Sequence, residues 1–594
     1  MRRCPTLFVL FIGLLLGGPL AMASAAKAEV LTLCLPSLPD RPNPALAPLQ
    51  ETSQEGPALL ADALFDTLTR RKPGSAEIEP GLATQWSLSE DRLTWRFTLR
   101  SDVSFVETDR FTPTRPLQAE DVVFSLLRLI DAEHPYHRVS GGLYPAAEVL
   151  DLAARITAVE AVDPETLTIT LATPDSGLPA LLSRPFAVIH SLEYAEALRK
   201  AAAPERLDRE PVGTGPYRWQ GEEGDAENRV IRFQARDEDH WSGWTPIPAI
   251  TLIEKPDPER RRGDLLSGDC HTSTGLGGPQ AMTEAPALEG DPEITVETNA
   301  MADVTVLALN TARPPFDDPE LRAALMAITT PEPLIDTLFG IDALAAQSPL
   351  PPVFGLTPGL SGLEEAEDDA SPAVPPTPPE TKPDPDAPSA ASSETATAEP
   401  VEDAAAPPAA PNEPSADALM LQQQLDRPIR IWAPSGARPY NADPSGVARR
   451  LAAQWAEQGI LSEVTVLDLG PFLARSRDVE AEESFDVLLW GWASTNPDPI
   501  AFLAPLVTCD QIGAGNRSHW CDPDVDSVFA AARKAETPED RDALLTEALQ
   551  AIATAKPIIP LMHQRGAQAY RVELSGGGID PFGALPLRSF SVRE

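Results

Sequence analysis

Between Thr94 and Arg100 polar and apolar positions alternate, with Trp95, Phe97 and Leu99 on one side and Thr94, Arg96, Thr98 and Arg100 on the other. Successive strand side chains point to opposite faces, so this stretch predicts a strand with one buried and one solvated face. From Ala119 to Ala132 the period changes. Val122, Val123, Leu126, Leu127 and Ile130 recur at helical spacing, and Glu120 and Asp121 occupy the first turn, where the helix dipole favours negative charge. Thr166 to Leu171 and Val304 to Leu309 predict further strands. Ser445 to Gln458 predicts a helix with Val447, Leu451 and Trp455 one turn apart, closed by Gly459 and followed by a strand from Val464 to Leu467. Thr537-Pro538-Glu539-Asp540 has the form of a helix start, a capping threonine with proline in the first turn and an acid three residues after the cap. It leads into Leu544, Leu545, Ala548, Leu549 and Ile552, and Pro557 ends it. Strand and helix signals therefore interleave, the pattern of an α/β chain.

Two stretches break the pattern. Arg2 and Arg3 precede an apolar run from Leu7 to Leu20, and Ala21, Ala23, Ala25, Ala26 and Ala28 follow. That order of charge, hydrophobic run and small residues predicts a signal peptide over residues 1–28 and an exported, soluble mature chain. The run is shorter than the roughly 20 residues a membrane span needs, and Cys4 stands too early to be a lipid-acceptor cysteine. From Ser361 to Pro414 the composition turns to Pro, Ala, Ser, Thr and acid, with thirteen Asp or Glu against Lys382 alone. Such a stretch buries too little apolar surface to offset its chain entropy and predicts a disordered insert. It reads either as a solvated loop or as a polyanionic arm that attracts cationic ligands.

Charge narrows the partners. Among 594 residues, 47 are Lys or Arg and 89 are Asp or Glu, a formal net charge of −42. No basic footprint is left to neutralise phosphates, so no nucleic-acid partner is expected. Export also changes the reading of cysteine. Without Cys4 the mature chain keeps Cys34, Cys270, Cys509 and Cys521, an even number in an oxidising compartment, which favours disulfides. Three connectivities are open. The short loop between Cys509 and Cys521 favours that pair, which leaves Cys34 with Cys270. His519 beside Cys521 raises a metal reading, but the spacing matches no zinc pattern, and His134-x-x-His137 has no third ligand nearby; no metal is expected. The chain holds no phosphate-binding Gly-x-x-x-x-Gly-Lys-Ser/Thr loop, no His-Glu-x-x-His helix and no Gly-x-Ser-x-Gly elbow, so no enzyme is expected.

A collinear series of motifs carries a resemblance. Glu79-Pro80-Gly81-Leu82-Ala83-Thr84-Gln85-Trp86 is followed by Leu93 to Arg100, then by Leu117-Gln118-Ala119-Glu120-Asp121-Val122-Val123-Phe124-Ser125 and Pro211-Val212-Gly213-Thr214-Gly215-Pro216-Tyr217. Leu309-Asn310-Thr311 with Pro314-Pro315-Phe316, and Ser348-Pro349-Leu350-Pro351-Pro352, continue it. In this order the motifs resemble the extracellular solute-binding proteins of ABC transporters in the peptide/dipeptide/nickel class. Asp109-Arg110-Phe111-Thr112-Pro113-Thr114-Arg115, Trp520-Cys521-Asp522-Pro523, Gln568-Ala569-Tyr570-Arg571 and Pro581-Phe582-Gly583 are similar to its subgroup associated with antimicrobial-peptide transport. The family's cysteine pattern agrees with the pairing favoured above.

The resemblance implies an α/β, two-lobed, type II periplasmic-binding fold of the large peptide-binding cluster, with hinge strands between the lobes. One lobe would run over 29–303 with the tail 563–594, and the other over 304–562, carrying the insert 361–414. It implies a periplasmic monomer that encloses a peptide ligand between its lobes and docks on a membrane permease and ATPase complex, with no cofactor. Arg438-Pro439-Tyr440-Asn441 is similar to the motif whose arginine holds a ligand carboxylate, a task that suits the two parallel donors of guanidinium. Arg438 also reads as a helix-flanking surface charge. Trp492 in Gly491-Trp492 offers a flat wall over the ligand or a core contact, and Asp498-Pro499 matches an acid-proline pair. The chain departs from the dipeptide pattern twice: Thr495 stands where dipeptide binders carry an acid for the ligand ammonium, and Leu469 where they carry a tryptophan. Asp498 is the acid placed to substitute. A longer, cationic or non-peptide ligand fits these departures better than a strict dipeptide. Heme, nickel or a polyamine is the alternative within the class, and a chaperone-like protein working through the insert is the alternative outside it.

Overall fold

The computed structural model describes residues 30–356 and 414–593, except 40, 48–54, 225–228, 245–246, 274–287, 289, 341–342, 479–482, 584 and 586. The expected signal peptide 1–28 and, apart from Pro414, the expected disordered insert lie outside the described residues.

The strands, in chain order, are β1 (Val30–Leu35), β2 (Thr69–Arg71), β3 (Ile78–Pro80), β4 (Ala83–Leu88), β5 (Thr94–Leu99), β6 (Ile156–Asp163), β7 (Thr166–Leu171), β8 (Tyr217–Glu223), β9 (Val230–Ala235), β10 (Ala249–Glu254), β11 (Thr272–Ser273), β12 (Ile294–Ala300), β13 (Asp303–Leu309), β14 (Ala343–Ala345), β15 (Ile429–Pro434), β16 (Ser462–Leu467), β17 (Val487–Ala493) and β18 (Ile558–Arg571). An antiparallel sheet in the order β4-β5-β7-β6 carries the alternation expected of β5: Trp95, Phe97 and Leu99 are buried and Arg96 is exposed. The helix Ala119–Ile130 packs its apolar face into the same core. Asp121 in its first turn is fully buried and accepts from the Gln118 N–H (2.9 Å), the Leu192 N–H (2.8 Å) and Arg115 (2.7 Å).

The larger sheet runs β16-β15-β17-β13-β18-β11-β1-β10-β9-β8, with β12 and β14 also paired to β18. Its strands β13 and β17 are buried on both faces. Val304, Val306, Leu488 and Trp490 enter one core, and Leu307, Leu309, Val487 and Leu489 enter the other. This double burial is why their sequences read as continuous apolar runs. The 14-residue β18 belongs to both halves of the sheet: its first part pairs with β13 and its last part with β11 and β12. The chain crosses between the halves at 300–303 and again within β18, where the Met301 N–H donates to the Gln564 carbonyl (2.8 Å) and the Gln564 N–H donates to Asp303 Oδ1 (2.8 Å).

The glycines of Pro211–Tyr217 have a packing reason. A Cβ on Gly213 would stand 2.0 Å from the Leu64 carbonyl oxygen, and one on Gly215 2.5 Å from the Phe65 nitrogen. The segment therefore lies in close backbone contact with the C-terminal end of the helix Glu55–Leu64 and beside the Phe65 ring. Both favoured disulfides are present, Cys34–Cys270 (Cα–Cα 5.9 Å) and Cys509–Cys521 (Cα–Cα 4.7 Å). Among the described residues no helix is long and apolar enough to cross a membrane.

A candidate ligand site at the strand ends beside the crossing segments

Strands β15, β16 and β17 run parallel, so their C-terminal ends share one edge of the sheet. Open α/β sheets bind ligands in the crevice outside such ends. Residues 435–441 follow β15 and residues 494–498 follow β17, and the sequence-predicted site residues lie on these two segments or, for Trp492, at the end of β17 itself.

Residues 438–441 form a tight turn, closed by the Arg438 N–H to the Asn441 carbonyl (2.7 Å) and the Asn441 N–H to the Arg438 carbonyl (3.0 Å). The turn is tied to the crossing segments. Gln564 Nε2 donates to the Pro439 carbonyl, and Thr305 Oγ1 donates to the Tyr440 carbonyl. Asn441 is fully buried, with its Oδ1 accepting from the Asp443 N–H (3.0 Å) and its Nδ2 without a hydrogen-bond partner among the described residues. The Tyr440 ring packs on Gly491, where a Cβ would stand 2.2 Å from the ring and 2.5 Å from the Val304 carbonyl oxygen. The Gly491-Trp492 motif therefore needs its glycine for this approach. Arg438 is half-buried; its Nη2 donates to the Ser435 carbonyl (2.8 Å), and its Nε is buried with no hydrogen-bond partner among the described residues. Trp492 is half-buried, pairs with Val304 across the sheet and packs on the core, and its Nε1 has no partner there either.

Thr495 and Asp498 separate. Asp498 Oδ1 caps the helix Pro499–Val507 by accepting from the Ile500 N–H (2.9 Å), and the same carboxylate pairs with Arg541. Its Oδ2 lies against Gly177. The charge of Asp498 is thus taken up by a helix end and an arginine. Thr495 Oγ1 accepts from Arg184 Nη2 (2.8 Å) and, alone of the six sequence-predicted site residues, lines a cavity of about 400 Å³.

That cavity is walled by ion pairs that sequence reading missed. Arg588 holds Asp62 (2.8 Å) and Asp66 (2.9 Å), Arg70 holds Glu79 (2.7 Å), and Arg71 holds Asp580 (2.5 Å). Asp66 also accepts from Thr214 Oγ1 (2.8 Å) and Trp241 Nε1 (2.9 Å). Burial works against its charge, but Arg588 and His240 outweigh it and hold its carboxyl below the usual carboxylate range. Burial pushes Asp62 upward despite Arg588. Thr214 and Glu79, each inside a recognisable motif, gave signals for this cluster. Arg184 gave another: it is a lone cation within the apolar stretch Leu178 to Val188.

At the crossing point, burial pushes the Asp303 carboxyl up to about 8, against the hydrogen bond it accepts from the Gln564 N–H. An acid whose folded pKa lies above its unfolded value of 3.8 stabilises the fold fully below pH 4, and that contribution is gone above pH about 8. Asp303→Asn is therefore expected to gain stability relative to the natural chain as pH rises through this window, by up to about 1.4 kcal/mol per pH unit. Denaturation midpoints of both proteins from pH 5 to 8 check this; parallel profiles would refute it.

These strand ends, the doubled crossing and the paired disulfides agree with the family relationship. The family model for bacterial extracellular solute-binding proteins, family 5 Middle, matches residues 77–514, and the chain belongs to that family. Over 578 residues it is 31% identical to the probable di/tripeptide-binding protein 5 of Pseudomonas aeruginosa (strain UCBPP-PA14), covering 97% of this chain and 98% of the relative. Over 526 residues it is 31% identical to the probable ABC transporter periplasmic-binding protein SapA of Escherichia coli (strain K12), covering 88% and 86%. The solved structure of HbpA2 from Haemophilus parasuis superposes with a TM-score of 0.79 at 27% identity, covering 95% of this chain and 100% of that one. The fold is the two-lobed type II architecture of periplasmic binding proteins.

Proposed function

We propose that the chain is the periplasmic solute-binding component of an ABC transporter, exported by residues 1–28, which captures a peptide-class ligand and delivers it to a membrane permease. The lobes would be 29–303 with 563–594, and 304–562, and the protein would act as a monomer. The observation that carries this reading is Arg438: a half-buried guanidinium at the strand ends, tied through its turn to the crossing segments, with a buried donor that has no partner among the described residues. A ligand carboxylate satisfies such a donor.

Contacts between the halves support capture by closure. The Ser176 N–H donates to the Arg533 carbonyl (2.9 Å), Ser176 Oγ to the Ala532 carbonyl (3.1 Å), and Arg184 to Thr495. Such bonds exist only when the halves meet, so a ligand touching both shifts the population toward the closed form. Native mass spectrometry of the purified mature protein, followed by denaturation, is expected to release peptides. Arg438→Ala is expected to weaken their binding about 10–100-fold, the worth of a charged hydrogen bond. Recovery of heme, a metal or a polyamine instead would sink the peptide reading and keep the transport role.

A further inference from the structure

Arg184 is the cation in the cavity wall without a counter-ion. It is 7% exposed, and among the described residues no carboxylate lies within ion-pair distance of it, whereas Arg70, Arg71 and Arg588 in the same wall each hold one. Its Nη2 donates to the neutral hydroxyl of Thr495, its guanidinium lies 5.4 Å from the Phe186 ring centre, and its buried Nε has no partner. Burial alone pulls its pKa down, to about 10, which leaves it charged at neutral pH.

A buried charge without a partner is costly, and folded chains keep one where something supplies the opposite charge. The neighbouring carboxylates are not available to do so. Asp66 and Asp62 are held by Arg588, Glu79 by Arg70 and Asp580 by Arg71. Thr495 accepts from Arg184, so its own hydroxyl proton is left to rotate and donate to a ligand beside it. A guanidinium and a hydroxyl aimed into one cavity match a carboxylate, to which guanidinium donates two parallel bonds.

We propose that Arg184 and Thr495 form a carboxylate-binding subsite, so that the preferred ligands carry an acidic group there and cationic peptides are disfavoured. This rests on the ligand-capture reading above and specifies the ligand class. Arg184 comes from the first half of the chain and Thr495 from the second, so the subsite is complete only when the halves meet, and the acidic group would help to close them. The net charge of −42 favours the approach of cations. It acts on encounter and is screened by salt, whereas the fit is decided by the paired and unpaired groups in the wall.

The test uses the mature full-length chain with tripeptide pairs that differ only by Glu or Gln at one position, and with glutarate as a non-peptide carboxylate. Calorimetric titration is expected to show at least tenfold tighter binding of Glu than of Gln peptides. The preference should vanish in Arg184→Gln and Thr495→Val and survive in part in Arg184→Lys. The unliganded Arg184→Gln protein is expected to melt no lower than the natural chain, since it loses an uncompensated charge. Equal binding of Glu and Gln peptides, a preference that survives Arg184→Gln, or a lower melting temperature of that variant would overturn the proposal. If no peptide binds but glutarate raises the melting temperature of the natural chain and not of Arg184→Gln, the subsite stands and the peptide reading falls. If neither peptide nor glutarate binds, both fall.

Discussion

Replacing Arg128 with methionine is expected to cost about 3–5 kcal/mol of stability, the penalty for leaving one member of a buried ion pair alone. The Arg128 and Asp208 side chains are each 1% exposed and meet at 2.5 Å, where the helix Ala119–Ile130 packs against the segment around 208. Arg128 Nε donates to the Tyr136 carbonyl (3.3 Å), and Asp208 Oδ1 accepts from Asn43 Nδ2 (2.6 Å). Burial opposes the charge of Asp208, and Arg128 reverses that and holds its carboxyl below the usual range. Without Arg128 the burial cost is opposed only by weaker groups such as Asn43 and Ser140, and the carboxyl pKa rises. The deficit of Arg128→Met should therefore shrink as pH falls, because protonation then removes the stranded charge. The double variant Arg128→Met with Asp208→Asn should recover much of the loss. Urea denaturation midpoints at pH 7 and pH 5 measure both effects; a loss under 1 kcal/mol, or a double variant no better than the single one, would contradict the pairing.

Removing the Cys34–Cys270 disulfide by a double serine substitution is expected to cost about 2–5 kcal/mol, toward the upper end because the loop it closes is long. That loop spans 236 residues, and its cysteines are 0% and 1% exposed. The bridge ties the end of β1 to the chain just before β11, two neighbouring strands of the large sheet. The Cys509–Cys521 loop spans 12 residues and is already held by Asn516 Nδ2, which donates to the Thr508 carbonyl (3.0 Å) and the Trp520 carbonyl (2.8 Å). Its removal should cost less. Melting temperatures of the two double-serine variants without reductant test this order, and the reverse order would show that local strain outweighs loop entropy.

Much of the fold was legible because its signals are local. The expected helix from Ser445 to Gln458 is observed as Pro444–Glu457 with Gly459 at φ +77, and the expected start at Thr537 is observed with Thr537 Oγ1 accepting from the Asp540 N–H (3.1 Å). Capping and side-chain periodicity depend on residues three or four apart, which lie next to each other in the chain. The Arg-Pro-Tyr-Asn turn and the Gly491-Trp492 pair were also readable as candidate site segments, since each is a short motif. Their placement beside Thr305 and Gln564 was not, because strands distant in sequence supply those partners.

What the sequence determined by itself is the alternation of strands and helices and the family motifs, carried by near neighbours or by residue types at fixed spacing, and the cysteine pairing, which follows once the short Cys509–Cys521 loop is closed. What only the tertiary structure decided is which charges meet. Asp498, read as a candidate ligand group, gives its carboxylate to a helix end and Arg541, whereas Arg184, which no motif marked, reaches Thr495 across 311 residues. The reason is physical: a buried charge takes its meaning from whether a counter-charge lies within a few ångströms, and that distance is set by how the sheets pack rather than by the order of residues in the chain.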